Sequence, residues 1–539
     1  MRCVDAGTRL LRSIRAVKTT AILLVFGSVC SMTSVAAPQR IFIQEYQIKG
    51  VRQLTRIEIE EAVYPYLGPS RTQEDVEKAR VALEKKYQDK GYQTVSVQIP
   101  SQPWRDGNII LEVTEAPVGQ LRVRGSRYFL PSRIREMAPS LAEGKVLNFN
   151  EVNRDIIALN QQADQRVTPS LRPGTMPGTV DVDLQVKDTF PLHGSLELNN
   201  RYSPDTTQLR LNGAMSYDNL WQLGHSIGGS FQLSPENPGE VKVFSGHYML
   251  RVPQMNWLSL RLHGTKQESA VSTIGSSAVA GRGEVVGIQA IMLLPGGKAF
   301  SNTLSLGLDY KKTDQDVTSS GGLALTQTSY YYFPLSATYS AAWLTKTDQI
   351  ELNVGPVFSF RGLGSSPGAF GGSRVGSDGA FFYLRGDLSH THDFAKGFQL
   401  HEKIQGQVAG KALVSAEQFG GGGLGTVRGY IEGEAFGDNA FFGSVELRSP
   451  SLLGFMGNKV VDGRVYLFAE GGRLSVFQPQ YPQHAHVDMA SFGVGSRVHF
   501  LDRFNGSLDL GVPIITQIQP SGHTKAYDLH LTFRVWVEL

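Results

Sequence analysis

Leu529-His530-Leu531-Thr532-Phe533-Arg534-Val535-Trp536-Val537-Glu538-Leu539 is the stretch that decides the fold. Leu529, Leu531, Phe533, Val535, Val537 and Leu539 fall on one face, and His530, Thr532, Arg534, Trp536 and Glu538 on the other. That period of two marks a strand with one apolar and one polar side. The run continues unbroken over the roughly 9 to 11 residues that a tilted strand needs to cross a bilayer core. The alternation recurs upstream. Leu209, Leu211, Gly213, Met215 and Tyr217 oppose Arg210, Asn212, Ala214, Ser216 and Asp218; Leu258, Leu260 and Leu262 oppose Ser259, Arg261 and His263; Leu304, Leu306, Leu308 and Tyr310 behave alike. Beyond Pro191 helical periodicity disappears. Lipid outside and water inside would demand this pattern, and closure would remove exposed sheet edges. A β-sandwich also alternates, with its apolar face inward, so period alone leaves both architectures open.

The N-terminal residues favour the barrel. Arg2, Arg9, Arg12, Arg15 and Lys18 precede a short apolar run from Ala21 to Val29, and Ser34-Val35-Ala36-Ala37 follow. This is the layout of a secretory signal peptide over residues 1–37, cleaved after Ala36 or Ala37; the run is shorter than the roughly 20 residues of a spanning helix. Both cysteines, Cys3 and Cys30, lie inside that segment, so the mature chain is expected to carry no thiol and is no disulfide-stapled scaffold. Its removal takes away five basic residues and one acidic residue, turning +3 into 3 − 4 = −1, and no basic surface argues for nucleic acid. The 539 residues exceed one ordinary core, and the 59 glycines suit many short strands joined by turns. The reading is an all-β transmembrane barrel of about sixteen antiparallel strands over residues 191–539. Gly/Ser-rich stretches such as Gly362 to Gly379 are expected as long external loops.

Two small α+β units are expected before it, over residues 41–118 and 119–190. In the first, Ile48-Lys49-Gly50-Val51 reads as a strand into a turn, and Thr72-Gln73-Glu74-Asp75 as a capping box. Val76, Ala79, Leu83 and Tyr87 share the face of the helix that follows, Gly91 ends it, and strands Thr94 to Ile99 and Asn108 to Val113 flank the turn-rich Pro100 to Gly107. In the second, Leu121-Arg122-Val123-Arg124-Gly125 opens the unit, and Asn148 with Glu151 caps a helix whose apolar face is Val152, Ile156 and Leu159. Val180, Val182, Leu184 and Val186 then alternate with Asp181, Asp183, Gln185 and Lys187, a half-buried strand.

One constellation carries the functional reading. Val427-Arg428-Gly429-Tyr430 stands behind the glycine run Gly420 to Gly423 and Gly425, and Phe468-Ala469-Glu470-Gly471-Gly472 follows about forty residues later. Glycine makes the loop pliable, the guanidinium is a permanent forked charge, and the later strand offers a carboxylate to receive it.

These residues resemble the two-partner secretion transporters, the haemolysin secretion and activation proteins of Gram-negative bacteria. The resemblance covers nearly the whole mature chain. It takes in the paired units, called POTRA domains in that family, the stretch Leu159-Asn160 to Leu171-Arg172-Pro173-Gly174 with Pro177-Gly178-Thr179-Val180, and Tyr217-Asp218-Asn219-Leu220. It implies an outer-membrane barrel that exports one large unfolded exoprotein bearing an N-terminal secretion domain, captured in the periplasm by the POTRA pair. It further implies that the sixth external loop folds into the lumen and sets Arg428 against the acidic residue of a Phe-x-Asp-x-Gly motif. Here that residue is Glu470, between Phe468 and Gly472, while Val427, Gly429 and Tyr430 complete the loop side. Outer-membrane lipid and, during biogenesis, the barrel-assembly machinery are the other implied partners. Three departures stand out: glutamate replaces the family's usual aspartate, few residues separate the cleavage site from Ile41, so no plug helix is expected, and the sequence ends in Leu539 where such barrels tend to end in an aromatic residue.

Export needs no catalytic residue, and no cofactor or metal site is expected. The Gly420 to Gly425 run lacks the lysine and hydroxyl of a phosphate loop, no His-Glu-x-x-His motif occurs, and His484 and His486 have no third ligand. Arg385-Gly386-Asp387 falls within the alternating run Phe382, Leu384, Gly386, Leu388 and reads as strand. Three functions remain: a dedicated exporter, an assembly factor for other outer-membrane components, and a passive porin. Two POTRA units favour the first.

Overall fold

The structure is a computed structural model that describes residues 40–539 apart from 104–106, 205, 253–254, 256, 269–270, 273–278, 281, 298, 319–323, 453–459, 481–482, 502 and 518–523. The signal peptide, the expected absence of a plug before Ile41 and part of the Pro100 to Gly107 turn lie outside the described residues. The described residues up to Glu115 form one compact unit and those from Ala116 a second.

In the first unit, Glu45–Lys49 runs parallel to Asn108–Thr114, whose other edge pairs antiparallel with Ser96–Gln98. Helix Gln73–Asp89 covers this sheet. The backbone N–H and hydroxyl of Thr72 both donate to the Asp75 carboxylate, at 2.9 and 3.1 Å, so the capping box closes as the sequence suggests. Val76, Ala79, Leu83 and Tyr87 are all fully buried. Gly50 turns the chain with φ of +88°, and a Cβ there would lie 2.2 Å from the Val113 carbonyl oxygen, so only glycine fits. Periodicity did not give helix Arg56–Val63 or strand Gly68–Arg71, which pairs with Ile41–Ile43. That helix buries only Val63 and leaves Ile57 68% exposed, so it has no apolar stripe to read.

Glu115 fastens the loop after Gly50 to the helix: its Oε1 accepts the backbone N–H of Arg52 (2.8 Å) and Gln53 (3.0 Å) and the hydroxyl of Tyr87 (2.6 Å). Burial, and then this bond, push the Tyr87 phenol above its usual range. Glu115→Ala is expected to destabilise this unit by about 2–3 kcal/mol, the scale of losing charge-assisted bonds to partly buried groups. Hydrogen exchange on the full-length protein should show it as faster exchange confined to residues 41–115.

The second small unit repeats the plan. Val118–Arg124 runs parallel to Val180–Asp188, which pairs antiparallel with Gln165–Pro173. Asn148 caps helix Phe149–Leu159 by accepting the Asn150 N–H at 3.0 Å, and Val152 and Leu159 pack into a core with Leu121, Leu141, Val182 and Leu184. The expected half-buried last strand holds at exposed Gln185 and Lys187 and is corrected at its two aspartates. Asp181 and Asp183 are 7% and 1% exposed, because the strand lies centrally in its sheet and Asp183 is covered by Arg124 and Arg172.

From Leu192 the chain forms a closed antiparallel barrel of sixteen strands. Ala324–Tyr332 and Leu335–Leu344 are one of these, interrupted at Phe333-Pro334, and both segments pair with Phe300–Thr318. Closure joins the first strand, Leu192–Asn199, to the last, His530–Glu538, with Leu198 opposite Val535 and Leu196 opposite Val537. The alternation resolves inside out relative to a soluble protein. Met215, Val286, Leu467, Phe492 and Leu531 stand exposed on the outer wall, while Asn199, Arg210, Gln407, Glu446 and Asp509 are buried on the lumenal side. This excludes the sandwich and demands an apolar surround. Arg385-Gly386-Asp387 lies within strand Phe381–Asp393, and Gly362 to Gly379 forms a long loop containing the short helix Pro367–Ser373.

Candidate functional site

The loop between strands Gln399–Ala409 and Asn439–Arg448 turns into the lumen as a hairpin, Phe419–Gly421 pairing with Ala435–Gly437. Its tip needs glycine. Gly422 and Gly423 adopt φ of +94° and +88°, and a Cβ on Gly423 would lie 2.3 Å from the Glu432 carboxyl carbon. Glu432 and Glu434 set the shape of the tip. Glu432 accepts the Leu424 N–H (3.1 Å) and Arg201 Nε (2.6 Å), and Glu434 accepts the N–H and hydroxyl of Thr524 at 2.9 and 2.6 Å.

Arg428 sits at the centre. Its backbone N–H donates to Glu470 Oε2 at 2.6 Å, and Nε and Nη2 donate to Glu470 Oε1 at 2.9 and 2.6 Å. The extra methylene of glutamate is accommodated, since the carboxylate reaches the backbone and the guanidinium together. Two further carboxylates meet the other arm: Nη1 lies 2.9 Å from Asp509 Oδ1 and 2.9 Å from Glu446 Oε2. Arg448 supports Glu446 at 2.6 Å, and the Tyr466 hydroxyl donates to Asp509 at 2.8 Å. The guanidinium carbon stands 3.7 Å from the centroid of the Phe468 ring, a close cation–π contact. Phe468 in turn lies over Gly493, where a Cβ would come 2.4 Å from its ring.

The other motif residues converge on the same seat. Val427 is fully buried among Phe419, Phe442, Leu474, Val487 and Met489. Tyr430 donates to the Ile515 carbonyl at 2.8 Å, with the Ala490 carbonyl 3.1 Å away. Gly429, with φ of +95°, packs its backbone on Gly511, and Gly472 leaves room for the Phe442 ring. Sequence reasoning identified Glu470 and missed Glu446 and Asp509, which lie on the lumenal face of their strands but belong to no contiguous motif.

Two more sets of contacts escaped it. At the loop-bearing mouth, Arg374 from the loop over residues 360–380 binds fully buried Asp438 with both Nη atoms at 2.6 Å. Buried Glu417 accepts Lys311 (2.7 Å), Tyr332 (2.7 Å) and Tyr383 (2.6 Å). At the opposite rim, Tyr217-Asp218-Asn219-Leu220 shapes the turn that receives the second small unit. Asn219 Nδ2 donates to Gln222 at 3.0 Å, and Gln222 exchanges bonds with the Leu130 N–H (3.0 Å) and the Tyr128 carbonyl (3.1 Å). His193 Nε2 adds contacts to Asp164 at 3.0 Å and Asp218 at 3.5 Å.

Comparison with known proteins fits this architecture. Residues 178–498 match the family described as haemolysin secretion/activation protein ShlB/FhaC/HecB, and residues 41–116 match the ShlB-type POTRA domain. The chain is 26% identical over 172 residues to the outer membrane transporter CdiB of Escherichia coli, an alignment covering 32% of this chain and 29% of that protein's length. It is also 26% identical over 135 residues to CdiB of Dickeya dadantii, covering 25% of this chain and 24% of that protein. The fold resembles the solved structure of CdiB from Escherichia coli, with a TM-score of 0.65 at 18% identity over 94% of this chain and 92% of that one. It also resembles BamA from Haemophilus ducreyi lacking POTRA domains 1–3, with a TM-score of 0.54 at 13% identity over 93% of this chain and 100% of that one. The family match spans more than half of the 539 residues and contains both halves of the Arg428 seat, so this chain belongs to the haemolysin secretion/activation ShlB/FhaC/HecB family.

Proposed function

We propose that this protein is an outer-membrane transporter that exports one large, unfolded partner exoprotein from the periplasm to the cell surface. Residues 1–37 direct the chain to the periplasm and are removed, and the barrel is inserted by the barrel-assembly machinery. The POTRA units then face the periplasm and capture the partner's N-terminal secretion domain, with an extended segment adding to a sheet edge through backbone bonds that tolerate many sequences. The barrel conducts the chain, and no catalytic residue or cofactor is required. The observation that supports this reading best is the glycine-rich loop held inside the lumen by Arg428. It occupies the path a substrate would take and is seated on ionic contacts that a conformational change can exchange. Arg428 and Glu470, with Val427, Gly429, Tyr430, Phe468 and Gly472 around them, act as a loop-to-barrel lock that fixes one loop position among several.

Deletion of the gene from its host, followed by comparison of extracellular and outer-membrane proteomes, tests the proposal. Loss of one large exoprotein with other barrels unchanged is the expected result. A broad fall in outer-membrane barrels would instead assign an assembly role, and no change in either would leave a passive channel.

A further inference from the structure

His390-Thr391-His392 lies near the end of strand Phe381–Asp393, on the rim of the barrel that receives the second small unit, and alternation puts both imidazoles on one face. Register identifies that face. Asp348 is opposite His392, Ile350 opposite His390, and Leu352 opposite exposed Leu388; on the other side Glu402 is opposite His390 and exposed Ile404 opposite Leu388. The cluster therefore belongs to the outer wall. Exposed Phe394 and Phe398 in the adjoining turn set it at the level of a bilayer's aromatic interface rather than its core.

We propose that Asp348, His390 and His392 form a binding site for a divalent transition-metal cation of the zinc class. Asp348 Oδ1 lies 2.7 Å from His392 Nδ1 and 3.2 Å from His390 Nε2, and one donor atom from each residue lies within 4.8 Å of the others. Zinc with bonds of about 2.0–2.1 Å in tetrahedral array separates its donors by about 3.3 Å; the Asp348–His390 spacing of 3.2 Å matches this, and the shorter Asp348–His392 hydrogen bond opens slightly as the cation replaces its proton. A second, independent feature points the same way: two of the three ligands, His390 and Asp348, are oriented from behind. His390 turns its other nitrogen, Nδ1, to Glu402 Oε2 at 3.3 Å. Asp348 Oδ2 accepts the hydroxyls of Thr347 (2.7 Å) and Thr345 (3.3 Å). Such outer partners fix ring orientation and raise ligand basicity at metal centres. Two imidazoles and one carboxylate select zinc-class cations over magnesium or calcium, which prefer oxygen donors. The other convergent group, Asp164, His193 and Asp218, offers a single imidazole whose Nε2 both carboxylates share, and it reads as an ion pair. A bound cation would clamp two neighbouring strands at the barrel rim and neutralise carboxylate charge at the membrane surface.

The test uses full-length protein purified in detergent, stripped with chelator and titrated with zinc sulfate alone by calorimetry, with bound metal counted by elemental analysis. One equivalent of zinc per chain is expected, with a rise in melting temperature. Asp348→Asn and His392→Ala should each weaken binding by at least about tenfold, and Glu402→Gln by about 10- to 100-fold, the range for loss of an outer partner. His193→Ala should bind as the parent does. Asp348→Asn and Glu402→Gln are near-isosteric on an outer face, and heat-modifiable migration verifies that each variant is a folded barrel. Parental zinc stoichiometry and affinity in the folded Asp348→Asn and Glu402→Gln proteins, or no zinc retained by the parent chain, would overturn the proposal.

Discussion

Arg428→Ala is expected to reduce export of the partner protein by more than tenfold while the barrel remains inserted at parental level. The guanidinium faces Glu470, Glu446 and Asp509, all less than a tenth exposed, and among the described residues only Arg448 offers Glu446 a second cation. Its removal leaves carboxylates crowded in a buried lumenal seat. Breaking a buried ion pair from one side typically costs about 3–5 kcal/mol because the remaining charge stays desolvated. The barrel, held by sixteen strands of ladder hydrogen bonds, does not depend on that term; the loop does. Limited proteolysis should therefore cut residues 420–437 in the variant and spare them in the parent. Arg428→Lys keeps the charge but loses the fork that grips backbone-anchored Glu470, and an intermediate phenotype is expected. Unchanged secretion by Arg428→Ala at equal barrel level would remove the lock from the mechanism.

Gly511→Val should produce the same phenotype by steric means, with every charge intact. Gly511 lies in strand Phe504–Pro513, and a Cβ there would come 2.6 Å from the Gly429 nitrogen and 2.9 Å from the Arg428 carbonyl carbon. These are backbone atoms and cannot rotate away, so the loop must lift from the wall; overpacking of this kind costs about 1–3 kcal/mol or more. The strand supplies its own control. A Cβ on Gly506 would find its nearest neighbour, the Arg534 carbonyl oxygen, at 3.9 Å, so Gly506→Ala should export normally. A Gly511→Val protein with parental export and a protease-resistant loop would show that Gly429 need not touch the wall.

Much of this molecule was legible because local patterns encode it. Val76, Ala79, Leu83 and Tyr87 announce a helix face, and Thr72 with Asp75 announces its start, since helix geometry fixes which neighbours meet. Helix Arg56–Val63 was not legible because it presents no apolar stripe, and the buried Asp183 was misread because its cover, Arg124 and Arg172, comes from two other strands. In the site, Arg428 and Glu470 could be singled out from contiguous motifs. Glu446 and Asp509 could not, because an inward-facing carboxylate looks like any other polar residue of an alternating strand.

The sequence by itself determined that this protein alternates apolar and polar residues along its strands, carries two small α+β units ahead of them, and bears an arginine on a glycine-rich loop. Those are properties of neighbours along the chain, set by backbone periods of two and 3.6 residues. Only the tertiary structure decided that the apolar face points outward, that three carboxylates from separate strands share one guanidinium, and that Asp348 meets His390 and His392 at the rim. Strand register and barrel closure bring together residues tens of positions apart, and no local period records which inward or outward residue of one strand faces which residue of the next.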